Sequence, residues 1–109
     1  MAYDEELARR IRKLFDEADE LEEKAMFGGI AWMVGGNLAF GVHGDSLIVR
    51  VGPEKYGESL RLPHTSVFDI TGRAMTGWIM VDSKGCAQDA ELESWARQGL
   101  EFARTLPEK

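Results

Sequence analysis

Residues 28–51 read GGIAWMVGGNLAFGVHGDSLIVRV, and the glycines that punctuate this stretch decide the fold. Ile30–Val34 is a short apolar run. Gly35-Gly36 then forms a two-residue break suited to a primed hairpin turn, whose central positions need a positive φ that glycine adopts without strain. Asn37–Val42 follows, with Leu38, Phe40 and Val42 expected on one face. A second turn at Gly44-Asp45 leads into Ser46–Val51, where Leu47, Val49 and Val51 share a face and Arg50 stands on the other. Three strands joined by two short turns predict an antiparallel meander.

Upstream, Leu7, Ile11, Leu14, Phe15, Ala18 and Leu21 recur at helical spacing, which predicts an amphipathic helix over residues 4–24. Asp4 suits its N-cap, and Glu5 and Glu6 fall in the first turn, where the helix dipole favours acids. The basic run Arg9, Arg10, Arg12 and Lys13 reads as a solvated face, with Glu5–Arg9 and Glu6–Arg10 as helix-spaced pairs. Downstream, Gly52-Pro53 ends the third strand, and Pro53 suits the first position of a short helix over 53–61. Ser66–Ile70 and Trp78–Val81 read as strands. Leu92, Trp95, Ala96, Gly99, Phe102, Ala103 and Leu106 then mark a helix over 89–106, with Pro107 just beyond it.

The expected order is α-β-β-β-α-β-β-α, a single α+β domain over 1–109. The economical arrangement is a two-layer one, with a five-stranded, mainly antiparallel sheet and helices on one face. A sheet with one solvated face should alternate cleanly, yet Ile30–Val34 and Trp78–Val81 are apolar throughout. The second face therefore calls for a partner, and a two-fold homodimer is expected, with Trp32, Trp78 and Met80 as candidate interface residues.

The 109 residues carry thirteen basic and nineteen acidic side chains, a net charge of −6. Residues 1–25 hold nine acids and five bases, residues 26–81 four of each, and residues 82–109 six acids and four bases. Acidic ends around a neutral middle repel phosphate backbones, so direct nucleic-acid binding is disfavoured. No apolar run approaches the roughly 20 residues that span a bilayer, so no membrane partner is expected. The acidic N-terminus lacks the basic and apolar regions of a secretory address. The single cysteine, Cys86, cannot form an internal disulfide, and a reduced, cytoplasmic protein is expected.

Catalytic constellations are scarce. His43, Asp45 and Ser46 are triad residue types, but they crowd one hairpin turn and no G-x-S-x-G elbow surrounds Ser46. His43, His64 and Cys86 have no metal-ligand spacing. Neither phosphate-binding glycine motif occurs, and the glycine pairs flank a hairpin instead of opening a crossover helix. Phe27, Trp32, Phe40, Phe68 and Trp78 could stack bases, but they are not interleaved with basic residues and read as core or interface. The arginines are more informative. Arg50 lies mid-strand in an apolar run, Arg73 lies in the loop before the last strand, and Lys55 lies near the start of the short helix. A guanidinium offers a planar fork for carboxylate or phosphate. Arg50 is expected either to pair with a carboxylate such as Asp69 across the sheet, or to form an anion or ligand site with Arg73 and Lys55.

The sequence resembles the TfoX N-terminal domain family. Met26-Phe27-Gly28-Gly29 after an amphipathic helix looks like that family's opening signature. Gly44-Asp45 with Leu47, Arg50 and Val51 is similar to its second hairpin. Phe68-Asp69, Thr71-Gly72-Arg73, Met75 and Gly77-Trp78 resemble its later block. The resemblance implies an α-β3-α-β2-α domain of secretion-chaperone-like architecture, and it brings no catalytic residues to carry over. In full-length members this domain precedes a C-terminal helical domain, and the protein regulates bacterial DNA-uptake competence with a transcription activator. The present 109 residues span the N-terminal unit, so a stand-alone bacterial domain is expected. Its expected function is that of a non-enzymatic, dimeric regulatory or protein-interaction module with an unidentified protein partner and no cofactor. The alternative is a small-ligand or anion-binding domain using Arg50 and Arg73.

Overall fold

The computed structural model describes residues 3–26, 28–69 and 72–108. Helix α1 (Glu5–Leu14) begins as expected: the Asp4 carboxylate accepts from the backbone N–H of Glu6 at 2.9 Å and of Leu7 at 3.3 Å. It ends at Leu14, capped by Phe15, ten residues before the expected end at residue 24. Residues 15–20 turn, and Leu21–Met26 forms strand β1, paired antiparallel with strand β2 (Gly29–Val34). The expected single helix over 4–24 is thus a helix and an edge strand. The stripe is coincidental beyond Phe15, because Leu21 is oriented by its partner Val34 and not by the turn of a helix. Exposed Glu22, Glu23 and Lys24 then charge the outer edge, which discourages strand-on-strand aggregation.

Strand β3 (Asn37–His43) follows the Gly35-Gly36 turn, where φ is 57° and 83°, and strand β4 (Ser46–Arg50) follows the Gly44-Asp45 turn. Helix α2 (Pro53–Leu60), strand β5 (Thr65–Val67), strand β6 (Trp78–Val81) and helix α3 (Asp89–Arg104) complete the order. The sheet has six strands, not five, in the order β1-β2-β3-β4-β6-β5, and all neighbours run antiparallel. Strand β5 stops at Val67, short of the expected Ile70, which lies outside the described residues. Phe68 leaves the ladder to stack on Trp78 at 5.9 Å.

All three helices meet one face of the sheet. Leu7 and Ile11 of α1, Tyr56 and Leu60 of α2, and Leu92, Ala96 and Leu100 of α3 pack on Trp32, Phe40, Val42, Leu47, Val49, Ile79 and Val81. The fit is close enough to require glycine. A Cβ on Gly99 would lie 2.2 Å from the carbonyl oxygen of Ala39, so α3 can sit on β3 only where that side chain is absent.

A β-bulge changes one expectation. Trp32 pairs with Phe40 but Met33 pairs with Leu38, which leaves Ala39 as an extra residue on β3. Phe40 and Val42 join the helix-facing core as expected, whereas Leu38 is rotated to the other face and Ala39 takes its place. The helix-free face therefore carries Ala31, Met33, Leu38, Gly41, Ile48, Trp78 and Met80. Ala31, Gly41, Ile48 and Met80 line up in one cross-strand row.

The basic run of α1 forms ion pairs other than those expected. Arg9 pairs with Glu6 instead of Glu5. Arg10 reaches Asp89 at 3.0 Å and donates to the carbonyl of Ala87 at 3.0 Å, tying α1 to the start of α3. Arg12 pairs with Glu23 at 2.9 Å, fastening α1 to β1.

Candidate functional site

Arg50 ends β4 directly opposite Trp78 of β6, and strand alternation sets it apart from the buried Val49 and Val51. Its guanidinium lies 4.9 Å from the centre of the Trp78 ring and 5.6 Å from that of Phe102 on α3. The expected carboxylate partner is not there. Among the described residues, no carboxylate stands within ion-pair distance of Arg50, and Asp69 is exposed after β5. Two aromatic faces take the place of a counter-ion, since the ring quadrupole attracts a cation while the ring shields it from water. Partial burial pulls the guanidinium below its ordinary pKa, with no neighbouring charge to offset the loss of water.

A cleft of about 470 Å³, lined in part by Phe102, opens between the start of α2 and the end of α3. Val51, Pro53 and Phe102 give it apolar walls, Lys55 contributes a cation, and Glu54 and Glu101 contribute carboxylates. Phe102 is packed over Gly52, where a Cβ would meet the ring at 2.5 Å. The residue thus forms a wall shared by the cleft and Arg50. Of the three cations singled out by sequence, Lys55 lines the cleft, whereas Arg50 contacts the Phe102 ring without lining the cleft. Arg73 lies in the exposed segment before β6 and does not line the cleft.

The candidate interface residues fall on different faces. Trp32 is only 3% exposed and stacks on Phe40 at 5.5 Å, inside the helix-covered core. Trp78 and Met80 alternate with buried Ile79 and Val81, and they remain half-buried on the helix-free face with Met33. Sequence reasoning overlooked Met33, although its place beside Trp32 in an unbroken apolar run was the available signal.

The remaining candidates have structural placements. Cys86 is buried, its Sγ donates to the carbonyl of Asp82 at 3.3 Å, and burial pushes the thiol up to about 11. Such a thiol stays protonated, and so poorly nucleophilic, at neutral pH. His43 and Ser46 face each other across the second hairpin, whose Gly44 carbonyl accepts from the N–H of Asp4 at 2.7 Å. Among the described residues, no group of three or more His, Cys, Asp or Glu side chains could hold a metal ion, and no helix is long and apolar enough to cross a membrane.

This arrangement of hairpins, glycine turns and flanking helices can be set beside known proteins. No curated protein matches the chain. The family model of the TfoX N-terminal domain matches residues 13–103, from the last turn of α1 almost to the end of α3. With that span covering most of its length, the chain belongs to the TfoX N-terminal domain family.

Proposed function

We propose that this domain is a regulatory or protein-interaction module instead of a catalyst, and that it works as a cytoplasmic homodimer joined through the helix-free face of its sheet. The observation that carries the reading is the partial exposure of Met33, Trp78 and Met80 around the row Ala31, Gly41 and Ile48. Apolar side chains left in contact with water on a strand face gain about 25 cal/mol per Å² when a second surface covers them. A second copy is the simplest such surface, because a two-fold axis lets one self-complementary patch close on itself. The charged outer edge of β1 argues against joining the sheets edge to edge. Pairing β1 with its own copy about Glu23 or Lys24 would set like charges directly opposite.

Sedimentation velocity at low micromolar concentration tests this reading. The parent protein should sediment as a dimer, and a Met33→Glu/Met80→Glu variant should sediment as a monomer with its helical circular dichroism unchanged. A dimer that survives both substitutions would move the interface elsewhere, and a monomeric parent would remove the self-association.

A further inference from the structure

The helix-covered side of the sheet carries a groove that dimerisation through the other face leaves open. We propose that this groove, between α2 and α3, receives a basic amphipathic helix from a partner protein. The cleft at the start of α2 is one end of it. A second depression of about 360 Å³ lies beside the first half of α3, where Leu62, just beyond α2, joins Ala90, Ser94 and Trp95 in the lining. Gln98 lines both, so the two depressions run together. The α3 wall is one helical stripe, in which Glu91, Trp95, Gln98, Phe102 and Thr105 recur at steps of four, three, four and three. At 1.5 Å per residue the stripe is about 21 Å long, room for about four turns of a second helix.

The lining decides the occupant. Leu62 is 49% exposed, and Trp95 and Phe102 are half-buried, so apolar surface stays in water along the groove. Trp95 and Phe102 stand seven residues apart on α3, a spacing of two turns. It suits large apolar side chains at i, i+3 or i+4 and i+7 on a helix laid alongside. Strand addition needs a free sheet edge, and both walls here are helical. The border carries the carboxylates of Glu54, Glu91 and Glu101 against the ammonium of Lys55. None of these three carboxylates is in an ion pair among the described residues. Lysines or arginines flanking the partner's apolar stripe supply the missing counter-charge, whereas an acidic segment is repelled. The assignment rests on the reading of the domain as a protein-interaction module and is independent of its dimerisation.

The tryptophans report three places: Trp95 the groove, Trp78 the helix-free face and Trp32 the core. NMR of the untagged, ¹⁵N-labelled protein tests the assignment through their indole N–H signals. The probe is a capped, lysine-rich helical peptide of about 18 residues bearing leucines at i, i+3 and i+7. The Trp95 signal should move along a saturable curve while those of Trp78 and Trp32 stay in place. The same leucines on a glutamate-rich peptide should give no saturable shift. Gln98→Arg/Glu101→Lys sets like charges against the probe and should weaken its binding roughly tenfold. The proposal is overturned by no saturable shift at Trp95, by an equal response to the acidic peptide, or by movement led by Trp78. An unchanged curve in the folded double variant overturns it too. So does a Trp95 signal that moves with protein concentration alone, which would place a second copy in the groove. A dimeric parent without the Trp95 shift sinks the groove alone, and a monomeric parent with it sinks the dimer alone.

Discussion

The two faces of the sheet are built from the same strands but are used differently. On one face, Phe40, Val42, Leu47, Val49, Ile79 and Val81 are fully buried under three helices, and the contact is tight enough that Gly99 must lack a side chain. On the other, Ala31, Leu38 and Ile48 are buried, while Met33, Trp78 and Met80 keep part of their surface in water and Arg50 is paired with rings instead of an acid. The difference indicates where folding free energy is gained and where surface is left for contacts outside the chain. Substitutions on the first face should cost stability. Substitutions at Met33 or Met80 should cost association while the fold persists.

The largest effect should come from Phe40, which is fully buried between Trp32 and Phe15, the latter ring 5.4 Å away. Phe40→Ala should lower the unfolding free energy by about 3–5 kcal/mol, read from urea denaturation. A loss no greater than that of a surface substitution would break the contrast between the faces. Gly99→Ala comes next. Alanine is the better helix former by about 1 kcal/mol. The Cβ would nevertheless stand 2.2 Å from the Ala39 carbonyl oxygen, and forcing the elements apart should cost about 1–3 kcal/mol. A stabilised variant would mean that α3 does not lie this close to the bulge.

Cys86 sharpens the comparison through pH. Burial raises its pKa from 9.0 to about 11 in the folded chain, so the unfolded chain loses the proton first as pH rises. The unfolded state then binds fewer protons than the native one, and stability falls with increasing pH across that window. The fall should be steeper in the parent protein than in Cys86→Ala, measured as melting temperature against pH; equal slopes would contradict the burial of the thiol. The smallest effect belongs to the edge. Arg12 and Glu23 are both more than a third exposed, so Glu23→Gln should change stability by less than about 1 kcal/mol.

What sequence could reveal followed the range of the interactions involved. The Gly35-Gly36 hairpin, the Asp4 cap and the start of α3 were legible because each depends on residues within one turn of chain. Strand β1 was not, because Leu21–Met26 has a helix-like composition and becomes a strand only by pairing with β2. The bulge at Ala39 leaves no mark on composition, and its consequence, the rotation of Leu38 to the helix-free face, is set by register with Met33. At the site, Arg50 and Lys55 were recognisable as cations of interest. The replacement of Asp69 by Trp78 and Phe102 as neighbours of Arg50 was not, since it depends on where the end of α3 comes to rest.

Native mass spectrometry of the untagged protein at low micromolar concentration tests the division between the faces most directly. The account predicts a species at about twice the chain mass of 12.2 kDa, which shifts to the single mass when Met33 and Met80 are replaced by glutamate. A parent protein found only at 12.2 kDa would contradict it.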